Sequence, residues 1–254
     1  MKKDLVRYAI SFTAVLLLWW LASIAVGFFL SGPKSSVLPN PVKAFSALIN
    51  HWGIIWPNFV RSAIRLLVSL MAAIFVGSTA GLITGFEEKI SRFISPILYL
   101  VYPVPKIVFL PVILILFGLG DISRVIFIFL VAVFQVMISA RDAAKNISPQ
   151  WIKAVRSSGG SKFQIYRHVV IPATLPSVLS SARISIGLGI AALYLAELSY
   201  TNVGLGYYIN SSWKVFSYTD VFAGILAFAA LGLGLYLLVE VLEKAFCRWN
   251  YLDQ

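Results

Sequence analysis

Long apolar stretches alternate along the chain with short polar segments in which Lys and Arg collect. Six apolar runs stand out, at about Tyr8 to Leu30, Phe59 to Phe86, Ile97 to Gly118, Ile122 to Ala140, Ser177 to Tyr200 and Val221 to Phe246. A hydrocarbon core about 30 Å thick takes roughly 20 helical residues at about 1.5 Å each, which these runs match. In lipid every backbone N–H and C=O has to be satisfied within the segment, so the runs predict helices. The third contains Pro103, Pro105 and Pro111 and is expected to be kinked or irregular. The pattern predicts an all-α membrane protein with about six transmembrane helices.

Composition agrees and narrows the picture. With 59% hydrophobic and 12% charged residues and a mean hydropathy of +0.88, the 254 residues are far too apolar for an ordinary soluble domain. Residues 1–254 are therefore expected to form a single transmembrane domain. The first apolar run exceeds the roughly 7 to 15 residues of a signal-peptide core, so it reads as a retained span. The formal charge of +11 does not point to nucleic acid, because the basic residues sit in short loops beside apolar runs. Six spans put both termini on one side. Lys2, Lys3, Arg7, Lys89, Arg92, Arg141, Lys145, Lys153, Arg156, Lys162, Arg167, Lys244 and Arg248 then share a face, against Lys34, Lys43, Arg124 and Lys214 on the other. The richer face is expected to be cytoplasmic, in an inner, multi-pass membrane protein with both termini inside. A lone Cys247 excludes an internal disulfide, and isolated His51 and His168 offer no metal cluster. No cofactor and no enzyme activity are expected, since no Ser/His/Asp arrangement or paired acids support catalysis.

The most informative polar segment is the loop from about Arg141 to Pro176. Ser148 followed by Pro149 is a helix-start signature. Trp151, Ile152 and Val155 fall on one face of the short helix that follows, Lys153 and Arg156 project elsewhere, and Gly159 with Gly160 stops it. Ser161 can cap a second helix bearing Phe163, Tyr166 and Val170 at helical spacing, with Lys162, Arg167 and His168 on its polar side; Pro172 and Pro176 are expected to end it before the next span. Two uses fit: an amphipathic hairpin on anionic membrane lipid, or a docking element for a cytoplasmic partner.

Counting from Lys153, with Ala154 next, Gly159 lies six residues on, Val169 ten further, and Ile171 and Pro172 complete the run. This resembles the "EAA" loop of ABC importer membrane subunits, patterned Glu-Ala-Ala, three residues, Gly, nine residues, Ile, one residue, Leu-Pro. Lys153 stands at the acidic position, Val155 at the second Ala, Val169 at the Ile and Ile171 at the Leu. Further stretches, "YPVPKIVFLPVILILFGLGDISRV", "ARISIGLGIAALYLAEL", "NVGLGYYI" and "LEKAFCRWN", resemble the permease branch serving nitrate, sulfonate, taurine, bicarbonate and thiamine-precursor uptake. The resemblance implies a type I ABC importer permease fold. It implies that Trp151, Lys153, Ala154, Gly159, Gly160, Val169, Ile171 and Pro172 belong to a loop that docks an ABC ATP-binding subunit, two copies per importer. It further implies an extracytoplasmic binding protein at the 31–57 and 200–220 loops and a second permease copy. "SSGGS" at 157–161 superficially resembles an ATPase signature, but no G-x-x-x-x-G-K-[ST] occurs, so ATP hydrolysis is expected on a separate subunit.

Charged groups inside a membrane are costly and so are pathway candidates. Glu197, in the "AE" pair, is expected either to shape the gate or to pair with a buried Arg. Lys106 either contacts an anionic substrate or plugs exposed carbonyls among the prolines. Arg183 reads as snorkelling to the membrane surface or as structural, and Arg61 and Arg65 read as surface anchors. Gln135 and Asn202 suit a polar path or interhelical hydrogen bonds, and Gly187, Gly189, Ala191 and Ala192 suit a tight seam, at a subunit interface or within the bundle. The rival reading is a self-sufficient ion-coupled carrier, which would more typically show repeated halves that this sequence lacks.

Overall fold

A computed structural model describes residues 2–29, 36–198 and 200–251. Lys34, together with the side chains of Lys2, Lys3 and Arg7, lies outside what is described. Eleven α-helices occur among the described residues: α1 (Lys2–Phe29), α2 (Pro41–Asn50), α3 (Trp52–Phe86), α4 (Glu88–Val101), α5 (Leu110–Phe117), α6 (Asp121–Lys145), α7 (Pro149–Ser157), α8 (Lys162–Ile165), α9 (Ile171–Leu198), α10 (Leu205–Lys214) and α11 (Tyr218–Phe246). Five helical stretches are long and apolar enough to cross a membrane, at Ile10–Phe29, Trp52–Phe86, Asp121–Lys145, Lys162–Leu198 and Tyr218–Phe246.

The expected third span is a bent pair, Glu88–Val101 and Lys106–Phe117, turning by 83°. Proline explains the break: Pro103 and Pro105 donate no backbone hydrogen bond, and Pro105 itself is extended, at φ −69° and ψ 104°. The second span starts at Trp52 rather than Phe59. A larger correction concerns Pro172 and Pro176, which do not end the hairpin. The chain stays helical from Lys162 to Leu198, through a π turn at Tyr166–Val170 where the Ile171 N–H bonds to the Tyr166 carbonyl five residues back. The wider turn lies immediately before Pro172, which has no N–H to donate back along the continuous helix.

The chain divides into two compact units, residues 1–61 with 202–230, and residues 62–201 with 231–254. In the first, Asn40 caps α2 by accepting from the Lys43 N–H at 2.8 Å, and Pro41 occupies the first helical position. Trp19 donates to the Pro39 carbonyl at 3.0 Å and stacks on Phe222 at 5.5 Å. The Asn58 carbonyl oxygen accepts from the Gly204 N–H at 2.8 Å, and Gly204 has φ 133°, a conformation glycine adopts cheaply.

In the second unit α6 packs along α9, with Phe127, Ile128, Val136, Ala182 and Leu193 buried. Gly189 lies against Leu66, Leu70 and Ile128, as expected of a seam residue, whereas Gly187 faces open space and Ala191 is exposed. A closer seam runs along Gly77, Gly81 and Gly85 of α3. A Cβ on any of the three would sit no more than 2.9 Å from a backbone oxygen of α6, those of Val133, Met137 and Arg141.

Candidate functional site

The 141–176 segment folds as a helical hairpin whose turns follow from its sequence. The Ser148 hydroxyl accepts from the Gln150 N–H, and Pro149 opens α7. At the other end, the Gly160 N–H bonds to the Val155 carbonyl at 2.9 Å and the Gly159 N–H to the Arg156 carbonyl at 3.0 Å. With Gly159 at φ 78°, this is the paired-bond helix stop that favours glycine. Gly160 is constrained by space instead, since a Cβ there would run into Val155. Ser161 then forms a reciprocal capping box with Gln164, accepting at 3.3 Å and donating at 2.6 Å.

Packing splits the hairpin into two faces. Ile147, Ile165, Val169 and Val170 form a buried cluster against which Leu82, Phe86, Ile152, Val155 and Tyr166 pack. Trp151 does not share the Ile152 and Val155 face; it is 56% exposed. Lys153, Ala154, Arg156, Gly159, Phe163, Arg167 and Ile171 are also exposed, and Pro172 is half-buried. The outward face is therefore basic with aromatic residues interleaved. Trp151, His168, Pro172 and Trp249 line a groove on it of about 420 Å³.

The α3–α4 turn holds this hairpin through Glu87. Lys162 Nζ and the Tyr166 hydroxyl each donate to the Glu87 carboxylate at 2.8 Å, and the Phe86 ring meets Tyr166 edge-on at 5.0 Å. The Lys162 hydrogen bond is the largest influence on Glu87 and draws its pKa below the ordinary value.

At the 83° bend, Lys106 donates to the carbonyls of Val101 and Tyr102, and its ammonium lies 5.0 Å and 5.1 Å from the ring centres of Tyr102 and Phe134. It thus braces the carbonyls at the break, of which that of Val101 also accepts from the Val104 N–H at 3.2 Å. The bend borders a mostly apolar cavity of about 420 Å³ lined by Tyr102, Lys106, Phe134, Gln135, Leu188 and Ala191 among others. Gln135 accepts from the Tyr102 hydroxyl at 3.3 Å.

One of the two charges read as surface anchors in the sequence is buried instead. Arg65 is 2% exposed and donates to Glu197 at 2.6 Å and to Asp121 at 2.5 and 2.8 Å. Glu197, fully buried, also accepts from Ser62 at 2.8 Å on both oxygens, so it is the partner of a buried Arg. Arg124, assigned above to an outer loop, is 2% exposed and donates to the carbonyls of Leu119, Gly120, Ala196 and Tyr200. Its guanidinium ties the turn just before α6 to the end of α9, where carbonyls lack a following helical turn to bond them. Arg141 is likewise buried, bonded to Ser95, Tyr99 and Asp142. Arg183 does not snorkel but pairs with Glu243, lying 5.5 Å from the Tyr236 ring centre. Arg61 is exposed, as expected of an anchor, and Asn202 is exposed too.

In the first unit His51 is not isolated. Its Nδ1 lies 2.6 Å from Asp220, which also accepts from Ser217 at 2.6 Å and from Tyr208 at 3.0 Å. Burial is the main reason that the Tyr208 phenol is pushed above its ordinary pKa. Among the described residues no group of three or more His, Cys, Asp or Glu could hold a metal ion.

Sequence reasoning missed Glu87, Asp121 and the three seam glycines. The last carried a readable signal, small residues recurring every fourth position in "GSTAGLITG". Glu87 and Asp121 are acids in an acid-poor chain, but their partners lie 75 and 56 residues away.

Comparisons with known proteins bear on this arrangement. The family described as "Binding-protein-dependent transport system inner membrane component" matches residues 73–248. The taurine transport system permease protein TauC of Escherichia coli K12 is 30% identical over 96% of this chain and 90% of its own length. A Bacillus subtilis 168 permease named for aliphatic sulfonate transport, SsuC, is 27% identical over 85% of this chain and 79% of its own. The formylaminopyrimidine transport permease protein ThiX of Halalkalibacterium halodurans is 23% identical over 94% of both chains. In structure, a chain of the MetNI methionine ABC transporter in an inward-facing conformation matches with a TM-score of 0.62 at 18% identity, covering 77% of this chain and 97% of that one. With the six candidate spans and the type I importer fold that this match supports, the chain belongs to the binding-protein-dependent transport system inner membrane component family, the membrane permeases of ABC importers.

Proposed function

We propose that two copies of this permease form one translocation pathway for a small organic anion of the taurine or aliphatic sulfonate type. Two separate ATP-binding subunits dock on residues 149–171, both chain termini are cytoplasmic, and a solute-binding protein docks at the 31–57 and 200–220 loops. The observation that carries this reading is the hairpin: rigidly capped at each turn, its apolar side packed into the spans, its basic aromatic side exposed. Of the two loops assigned to the binding protein, residues 36–57 and 202–220 fall in one compact unit, where the His51–Asp220 contact joins them and Trp213 and Phe216 are exposed. Closure of the ATP-binding subunits would move the hairpins as levers and switch the spans between inward-open and outward-open states, a two-state change that both partners bias.

The relatives that transport taurine and sulfonates support the substrate class, and so does a mostly apolar cavity carrying one ammonium. A thiamine-precursor-type substrate is the second reading, favoured by Tyr102, Phe134 and Gln135 around that cavity and by the pyrimidine-transporting relative. Affinity purification from native membranes in mild detergent, with mass spectrometry, tests the assembly. Recovery of an ABC ATPase and a binding protein is expected, and a lone permease after crosslinking at Lys153 would overturn the reading. Thermal shift of that binding protein with taurine, ethanesulfonate, nitrate, bicarbonate and formylaminopyrimidine decides the substrate; a shift with ethanesulfonate and taurine is expected.

Two substitutions probe the site. Gly159→Pro cannot reach φ 78° and removes the N–H that Arg156 accepts, so it should leave ATP hydrolysis running with little uptake. Gly159→Ala, strained by about 1–2 kcal/mol, should fall between. Wild-type uptake per ATP in the proline variant would remove the hairpin's shape from the mechanism. Lys106→Gln should lower thermal stability by about 1–3 kcal/mol, the worth of charge-assisted hydrogen bonds, whereas Lys106→Arg should retain most of it. An unchanged melting temperature with a raised KM would instead make Lys106 a substrate contact only.

A further inference from the structure

Three connections tie the hairpin to the spans, and the third is one the other two do not require. The first is covalent, since α6 runs directly into the hairpin through residues 146–148 and the hairpin's second helix continues unbroken into α9. The second is apolar, the packing of Leu82 and Phe86 on the buried hairpin cluster. The third is the Glu87 carboxylate, which receives Lys162 and Tyr166 one helical turn apart. A surface ion pair alone contributes little, and Lys162 is 66% exposed. Here the carboxylate also takes the half-buried Tyr166 hydroxyl, which fixes its direction, and Tyr166 opens the π turn leading into α9. Glu87 itself follows the end of α3, whose three glycines seat that helix against α6. The carboxylate thus closes a loop of contacts from α6 through the hairpin to the α3–α4 turn and back across the glycine seam.

We propose that Glu87 is a positioning residue that fastens the hairpin to the α3–α4 turn, so that turn and hairpin move as one body during transport. This rests on the reading of residues 149–171 as the ATPase-docking element. Without the fastening, the hairpin stays joined to α9 by continuous helix but can part from the α3–α4 turn, and part of each stroke is lost before it reaches α3.

The test uses the purified importer, permease with its ATP-binding subunits and binding protein, in proteoliposomes. Uptake of the binding protein's ligand and ATP hydrolysis are measured together. Glu87→Ala is expected to lower uptake per ATP by about twofold to thirtyfold, the span over which single residues modulate coupling, while recovery of the ATP-binding subunits is unchanged. Glu87→Asp should retain most of the coupling. In a Cys247→Ala background, Glu87→Cys with Lys162→Cys should be uncoupled until a short bis-methanethiosulfonate reagent bridges the two positions, and coupled again afterwards. Wild-type coupling in Glu87→Ala, or uptake stopped by the bridge, overturns the proposal. If the wild-type complex shows no ATP-dependent uptake, or holds no ATP-binding subunit, the docking reading fails and this inference with it. Should Glu87→Ala reduce assembly, the bridged cysteine pair decides alone, because bridging restores the connection without the carboxylate.

Discussion

Glu197→Ala should cost this protein about 3–5 kcal/mol, the penalty for leaving the other half of a buried ion pair uncompensated, and should show as a sharply lowered Tm in detergent. The carboxylate is fully buried and both of its oxygens accept from Ser62, while one also meets Arg65. Its removal leaves Arg65 with Asp121, which is 38% exposed and already receives two of the guanidinium's N–H groups on one oxygen. Glu197→Gln keeps the size and one acceptor, so its loss should be smaller. Arg65→Ala should be about as damaging as Glu197→Ala, and the double variant less so than the sum, with a coupling energy of about 0.5–3 kcal/mol. Additive losses would mean that each residue is held by its other partners and that the pair itself joins nothing. A coupled pair instead ties α3 to the end of α9, so the gate candidate is first a structural clasp, and any part it takes in gating acts through the fit of those helices.

The membrane spans were legible because lipid imposes one rule on every position of a long apolar run, and chain length alone tests it. The hairpin was legible for a different reason: its signals are local. Ser148 before Pro149, Gly159 beside Gly160, and Ser161 three residues before Gln164 each act on backbone groups within a turn of themselves. Arg65 was misread because a cation at the end of an apolar run looks like an anchor unless its partners are visible, and the burial of Arg124 and Arg141 was hidden for the same reason. Those of Arg65 stand 56 and 132 residues along the chain, and Arg124 bonds to carbonyls, which no residue type announces. The continuation of helix through Pro172 was hidden too, since a π turn depends on how neighbouring groups pack and not on the residue that carries it. What the sequence conceals at the candidate site is therefore long-range pairing of charge.

The glycine seam supplies the second large effect, and it separates packing from helix propensity. Gly81→Ala adds one carbon to a position where it would press on the Met137 carbonyl and on Ala140. Backbone cannot swing aside as a side-chain tip can, so α3 and α6 must move apart, at a cost of about 1–3 kcal/mol despite the better helix propensity of Ala. Gly81→Leu should be worse and leave little folded protein. Gly187→Ala is the matched control: it also replaces a helical glycine, but nothing lies within 4 Å of the added carbon, and it should be neutral or slightly stabilising. Melting of the purified variants followed by size-exclusion fluorescence compares them directly. Equal stability of Gly81→Ala and Gly187→Ala would show that α3 and α6 have slack between them. That slack would bear on transport as well as on folding, because the contacts that run from the hairpin through Glu87 return across this seam, and a lever whose two arms can part transmits only some of its stroke.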